Sequence, residues 1–437
     1  MASNRLTTCL LLGLLFTVGC SDDRTPAVGG KVSTDDINVG GPLAGDAADW
    51  TAWRGPNRNG VAVGDNVPTD FSPTKNIIWK AELPGRGHSS PTLVGERIYL
   101  ATADEKQQVQ SVLALERDTG KQIWKTDLHT GDFPPSGKMH GKSSHASCTV
   151  ACDGERLFVA FLNHDAIHVT ALDLDGKQVW QETVGKFDPK FGYAPSPTLY
   201  EDAVIIAADH QGGGHITSLD RKSGKQLWQI DRPAVATYSS PIVLDVAGRE
   251  QLLISGAEKV VSYDPKTGKE IWSAAGTAEA TVGTVIAAGD VVFASGGYPQ
   301  AETVCIKADG SGDVVWRDGK KTYVPSMLVH AGALYVVDDK GIARCYDAGT
   351  GKLNWQQRLG GGYSASPILA GEYIYAASEQ GQVVVFKANS KAFEKVTDVR
   401  MGSEVYATPV ACGDRLYLRV ADNSSGKRME TLYCVGK

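Results

Sequence analysis

The sequence returns five times to one phrase, Gly-Lys-x-x-Trp, which ends at Trp124, Trp180, Trp228, Trp272 and Trp355. Each copy closes a longer unit: a Ser-Pro or similar pair, an apolar stretch, a Gly-Asp or Gly-Glu turn, a second apolar stretch, a variable loop and a third apolar run. Residues 89–128 carry the clearest copy, and further units open near Ala146, Ser196, Ser239, Thr281, Pro325, Ser366 and Thr408. Trp316 ends a variant without the usual Gly-Lys spacing, and Phe393 stands in for the tryptophan of the seventh unit. Self-similarity at roughly 40–45 residues marks an architecture whose units bury their faces only against their neighbours.

Within a unit the apolar runs are short, alternate with polar residues and are punctuated by Gly and Asp, which predicts four antiparallel strands. No segment keeps the roughly 3.6-residue period of a helix, so a helical solenoid is excluded; an open β-solenoid is the competing arrangement. The eighth unit, residues 408–437, has room for three strands and lacks a tryptophan, whereas Asn76–Lys80 offers a spare strand containing Trp79. The predicted fold is therefore all-β: an eight-bladed β-propeller of four-stranded antiparallel blades over residues 76–437, its ring closed by that N-terminal strand. Trp79, Trp124, Trp180, Trp228, Trp272, Trp316 and Trp355 are expected to wedge between blades, each with its indole N–H on an acceptor. Glu116, Asp173, Asp220, Asp264 and Asp347 recur with the blades and are read as ties to backbone N–H groups of a turn rather than as metal ligands.

The start of the chain has a different character. A short polar opening precedes the apolar run Leu6–Val18, which is too short to span a bilayer and reads as the export signal of residues 1–20. Thr17-Val18-Gly19-Cys20 resembles a bacterial lipobox, with Thr17 where leucine is usual, and makes Cys20 the expected lipid attachment point. A plain signal peptide with an incidental Cys20 is the alternative. Residues 21–48, nearly free of aromatics, are expected to be a tether, and residues 49–75 an N-terminal extension. The protein is thus expected in the periplasm or at the outer membrane, touching the bilayer only through acyl chains on Cys20. Lys plus Arg total 44 against 50 Asp plus Glu, a net charge of -6 that gives no footprint for nucleic acid. Cys148, Cys152, Cys305, Cys345, Cys412 and Cys434 fit either buried thiols or, for Cys412 with Cys434, a pair close in space. Cys148 and Cys152 lack further ligands at zinc-finger spacing, and no metal site is expected.

The runs ALERDTGKQIW, ALDLDGKQVW, SLDRKSGKQLW, SYDPKTGKEIW and CYDAGTGKLNW resemble the pyrroloquinoline quinone (PQQ) repeat, and the resemblance covers about residues 76–437. It implies the propeller fold and leaves two branches for function. One is similar to the propeller lipoprotein of the outer-membrane barrel assembly machinery, which binds proteins and has no catalytic site. The other comprises PQQ-dependent alcohol dehydrogenases, with cofactor and calcium in the central funnel. Residues 50–60, WTAWRGPNRNG, with GHSSP and SSHAS, also resemble uncharacterised exported PQQ-repeat proteins of planctomycetes. The dehydrogenase pattern carries adjacent cysteines, a Glu-Asn-Asp calcium set and an Asp base. No two cysteines are adjacent here, no positions match that set, and no CxxCH marks a fused cytochrome. The expected function is a non-catalytic binding or scaffold module of the cell envelope with a protein or envelope partner and no cofactor. A quinoprotein dehydrogenase, or another small-molecule enzyme using the funnel, is the alternative.

Repeat symmetry directs attention to the loops before the innermost strands, which gather at one mouth of a propeller channel. Aligned on the Ser-Pro position they bring His88, His145, Tyr193, Tyr238, Tyr323, Tyr363 and Tyr406 near one ring, with Glu279 in the fifth unit. His88, His145, Tyr238 and Tyr406 are expected to line the mouth, with Tyr193, Tyr323 and Tyr363 beside or behind them. Such a ring is either repeated packing or a polar aromatic cup for a ligand or a partner side chain. Residues 129–144 lengthen the second unit, and Lys138, His140 and Lys142 within them are expected to overhang the cup.

Overall fold

Side-chain burial in the second and third strands of a unit does not alternate. Arg97–Asp104 and Val109–Glu116 are buried on both faces along most of their length, whereas the outer strand Gln122–Thr130 alternates between exposed and half-buried positions. A sheet has two covered faces only when other sheets pack against both of them. In the computed structural model, which describes Ser33 and residues 49–437 apart from Asp65, the chain forms eight four-stranded sheets. Seven are consecutive meanders, blades 1 to 7, opening with innermost strands at Thr92–Val94, Ala151–Cys152, Thr198–Tyr200, Ile242–Val246, Ile286–Ala288, Leu328–His330 and Ile368–Ala370. Blade 8 contains Val410–Cys412, Arg415–Asp422 and Met429–Val435, and its outermost strand is Ile77–Leu83 from the other end of the chain. The predicted eight-bladed propeller and its closure are thus the observed architecture, with the closing strand three residues longer at its C-terminal end than the sequence suggested. Cys20, the signal and lipobox residues, and the tether 21–48 apart from Ser33 lie outside the described residues.

The recurring tryptophans join blade to blade. The indole N–H of Trp79 donates to Arg117 O at 3.0 Å, Trp124 to Leu174 O at 3.0 Å, Trp180 to Arg221 O at 3.0 Å and Trp228 to Pro265 O at 3.2 Å. Trp316 and Trp355 do the same to Ala348 O and Asn389 O, each at 2.8 Å. Each acceptor belongs to the next blade; all but Asn389 stand in the turn ahead of a Gly-Lys pair, and the turn glycine there lies against the indole. A Cβ on Gly120 would sit 2.4 Å from Trp79, on Gly176 2.7 Å from Trp124, and on Gly351 2.6 Å from Trp316. The two most constant letters of the repeat are therefore the two halves of one interface. Trp272 is the exception: it donates to the Gln251 side chain at 2.7 Å, which in turn donates to Ala308 O of blade 5 at 2.8 Å. The fifth unit lacks the Gly-Lys turn, and the fully buried Gln251 spans the gap.

The turn carboxylates act within their turns. Asp173 accepts N–H bonds from Asp175 and Lys177, Asp220 from Ser223, Asp264 from Lys266 and Thr267, and Asp347 from Thr350, while Glu116 accepts the Thr119 hydroxyl. In every blade the pairing of the outermost strand slips by one residue next to the tryptophan position, leaving Ile78, Ile123, Val179 and Leu227 as bulged, exposed residues. Eight bulges break the regularity of eight outer edges that would otherwise offer strand-pairing templates. The six described cysteines are buried thiols.

Candidate functional site

Two residues before the innermost strand of every blade stands a hydroxyl residue: Ser90, Thr149, Ser196, Ser240, Thr284, Ser326, Ser366 and Thr408. At six of the eight steps around the axis the backbone N–H of one donates to the hydroxyl of the next. Ser90 N reaches Thr149 at 3.2 Å, Thr149 N reaches Ser196 at 3.0 Å and Ser196 N reaches Ser240 at 2.9 Å. Thr284 N reaches Ser326 at 3.0 Å, Ser326 N reaches Ser366 at 2.9 Å and Ser366 N reaches Thr408 at 3.0 Å. Strands that converge on an axis cannot satisfy these N–H groups within their own sheets, and a short hydroxyl side chain is the donor-acceptor that fits. The sequence shows this ring as the Ser or Thr of each Ser-Pro pair, a signal that served only as an alignment mark.

That ring sets the register of the wall above it. Two residues earlier stand His88, Ser147, Ala194, Tyr238, Val282, Val324, Ser364 and Tyr406, and all eight line one cavity of about 520 Å³. Three residues earlier the side chains turn away from the axis, as period-two alternation requires. Tyr193 there is buried with its hydroxyl on Ala207 O at 3.0 Å, and Tyr363 is wholly buried. Tyr323, at the same register, reaches the cavity because it lies against Gly297, where a Cβ would be 2.5 Å from its ring. His145 stands four residues before Thr149, not two, and stacks on Phe133 at 4.2 Å outside the wall. Of the seven aromatic or imidazole positions aligned in the sequence, the structure brings His88, Tyr238, Tyr323 and Tyr406 to the cavity and sends His145, Tyr193 and Tyr363 behind it. Ser-Pro alignment treated three registers as one.

The far end of the cavity is closed by residues the sequence left unassigned. Trp50 exchanges two 2.9 Å backbone bonds with Leu93 of blade 1, and Thr51 O accepts Cys152 N of blade 2 at 2.8 Å. Arg58 donates to Leu199 O of blade 3 and Val243 O of blade 4. Trp53 donates to the Thr284 hydroxyl of blade 5 at 2.8 Å, and Arg54 to Met327 O of blade 6 at 2.6 Å and Pro367 O of blade 7 at 3.2 Å. Gly60 and Ala62 then pair with Leu369. These acceptors lie level with the hydroxyl ring or beyond it along the strands, so the segment plugs the channel below the cup and Trp53 forms part of its floor. Burial draws the Arg54 guanidinium down to about 9, and it remains charged at neutral pH with carbonyl oxygens as its partners. The expected N-terminal extension is thus an integral part of the channel.

The insertion lies over the open mouth. His140 sets its ring edge-on to Phe191 at 5.5 Å, and Lys142 pairs with the buried Glu379 of blade 7 at 2.7 Å. Both line the cavity, whereas Lys138 pairs with Asp188 at 2.6 Å away from it. Where blades 8 and 1 meet in the wall, His88 stacks on Tyr406 at 4.6 Å. Burial, and then Arg86, Arg419 and Arg428, hold His88 well below the usual histidine range, so its imidazole is neutral. Burial also pushes the Tyr238, Tyr323 and Tyr406 hydroxyls up. His88 Nε2 and the Tyr238 hydroxyl are buried without a hydrogen bond of normal geometry.

Calcium with PQQ would require converging carboxylate and amide oxygens. The wall supplies one carboxylate, Glu279, and no Asp or Asn, and no three His, Cys, Asp or Glu side chains among the described residues converge on a metal position. That donor set does not fit the quinone and its ion.

The quinohemoprotein alcohol dehydrogenase of Comamonas testosteroni superposes with a TM-score of 0.64 at 14% identity, over 90% of this chain and 82% of that one. BamB from Moraxella catarrhalis superposes with a TM-score of 0.59 at 14% identity, over 82% of this chain and 99% of that one. Both likenesses show the fold alone. In sequence, the outer membrane protein assembly factor BamB of Yersinia pestis is 26% identical over 376 residues, 81% of this chain and 88% of that protein. A family profile described as outer membrane protein assembly factor BamB matches residues 108–357 and 339–431, and the chain belongs to that family.

Proposed function

We propose that the protein is a non-catalytic scaffold of the cell envelope that receives part of a protein partner in its cup. The observation carrying this reading is the sealed channel. Trp50–Ala62 bonds to seven blades and leaves a recess open to one face, walled by aromatic rings and hydroxyls and rimmed by exposed Tyr298 and Phe191. Aromatic groups around a concave site suit recognition of a side chain or short segment. The neutral His88 and the high hydroxyl pKa values supply no activated nucleophile or base. Membership of the BamB family and the relatives' names favour an outer-membrane address and an assembly partner. Cys20 is the proposed anchor.

The test is affinity capture of the full chain from detergent-solubilised envelopes after mild cross-linking, followed by mass spectrometry. Recovery of a defined envelope protein supports the proposal. Release of a small-molecule cofactor without any protein partner contradicts it. Loss of the membrane fraction on Cys20→Ser supports the anchor, and an unchanged fraction refutes it.

A further inference from the structure

The cup is not chemically uniform. Lys142 is neutralised by Glu379, which also accepts the Ser364 hydroxyl at 2.6 Å. On the side of blades 4 to 6 the wall includes Glu279, Tyr238, Tyr298 and Tyr323 among small and aliphatic residues such as Ala280, Val282 and Val324. Ala280 N bonds to Tyr298 O at 3.0 Å, which fixes Glu279 beside Tyr298, and burial, then Asp339, Tyr298 and Glu279, hinder the ionisation of Tyr323. Glu279 is half-buried, faces the cavity and makes no ion pair or side-chain hydrogen bond with any of the described residues. The Tyr238 hydroxyl, on a side chain only 8% exposed, has no hydrogen-bond partner of normal geometry, although the Phe191 backbone lies near it. An unpaired carboxylate and an unsatisfied phenol, set among ring faces, are complementary to an organic cation. The carboxylate supplies charge, the hydroxyl accepts an N–H, and the Tyr298 ring supplies its negative face, whereas the Tyr323 ring already carries Lys321 Nζ 5.4 Å from its centroid.

We infer that the Glu279–Tyr238–Tyr298–Tyr323 side of the cup binds a guanidinium or ammonium group. This rests on the reading of the cup as a recognition site and gives the chemistry of its occupant. An anion is the less suited ligand: of the two lysines lining the cavity, Lys142 is held by Glu379, and Lys190, with no carboxylate partner among the described residues, lies over the Phe191 ring at the rim. A basic side chain of a partner and a small free amine share the required chemistry.

Calorimetric titration of the full chain with acetyl-Gly-Arg-Gly-amide, agmatine and acetyl-Gly-Glu-Gly-amide separates the possibilities. The arginine peptide should bind, and Glu279→Gln should weaken it at least tenfold with an unchanged melting temperature. Tyr298→Ala, at an exposed rim position, should weaken it without risk to the fold. Agmatine binding as tightly as the peptide assigns the site to small organic cations, and peptide binding alone assigns it to a polypeptide side chain. The inference is overturned if neither cation binds, if Glu279→Gln leaves affinity unchanged, or if the acidic peptide is the one that binds and Lys190→Ala abolishes it. A captured envelope partner that Glu279→Gln retains fully would sink the cation site while leaving the scaffold reading intact.

Discussion

Gly120 and Gly248 differ in one respect that isolates the blade interface. Both hold left-handed backbone, at φ +69° and +70°. A Cβ on Gly248 meets nothing within 4 Å, while one on Gly120 lies 2.4 Å from Trp79 Cε3. Alanine in the left-handed region costs about 1–2 kcal/mol at either site. At Gly120 the methyl must also displace an indole that is 9% exposed, packed against Tyr417 and bonded to Arg117 O, an overpacking cost of about 1–3 kcal/mol. Gly120→Ala should therefore destabilise by about 2–5 kcal/mol and Gly248→Ala by about 1–2 kcal/mol. Chemical denaturation of both variants measures the difference. In a Trp79→Ala background the excess at Gly120 should vanish, because the clashing ring is gone. Equal losses at the two glycines, or an excess that survives Trp79→Ala, would refute the claim that the repeat glycine is there to receive the neighbouring tryptophan.

Other expectations follow from single contacts. Gln251→Leu leaves Trp272 Nε1 and Ala308 O unpaired in a buried setting and should cost about 2–4 kcal/mol, measured by the same denaturation. Arg54→Ala strips hydrogen bonds from Asn59 O of the channel plug and from Met327 O and Pro367 O of blades 6 and 7 and should lower the melting temperature sharply, while Lys138→Ala, which loses an exposed pair, should change it little. Burial pushes Cys148 and Cys152 up to about 12 and Cys345 and Cys434 up to about 11, so iodoacetamide at pH 8 should label these four only after unfolding, as read by mass spectrometry. Burial lowers His88, His129, His145 and His215, with His129 at about 4. A base with a depressed folded pKa stabilises the fold above its unfolded pKa of about 6.5, so the melting temperature should fall as pH drops from 6.5 towards 4. His129→Asn should flatten that fall.

The ring architecture was legible because its determinants are local and repeated. Gly-Lys-x-x-Trp marks each blade interface, and the missing eighth tryptophan points directly to Trp79. The candidate site was legible only in outline. Ser-Pro alignment located the mouth, but the two positions on either side of a strand face opposite ways, and only the hydroxyl ring shows that Tyr238 belongs to the wall and Tyr193 to the packing behind it. The plug was not legible at all. Residues 50–62 carry no repeat, and their partners are main-chain groups of six blades, which leave no pattern in side-chain identity, and one hydroxyl of blade 5. Trp53 and Thr284 are bonded across 231 positions, a contact that one sequence cannot announce.

The central claim is that the cup receives a polypeptide rather than a redox cofactor. A photo-reactive benzoylphenylalanine in place of the exposed rim residue Tyr298, activated in intact envelopes, tests it at the site itself. The account predicts a discrete adduct with an envelope protein that is absent when the same group replaces Leu227, exposed on the outer edge of blade 3. Absence of any protein adduct at residue 298, together with alcohol oxidation by the purified chain on addition of PQQ and calcium, would contradict it.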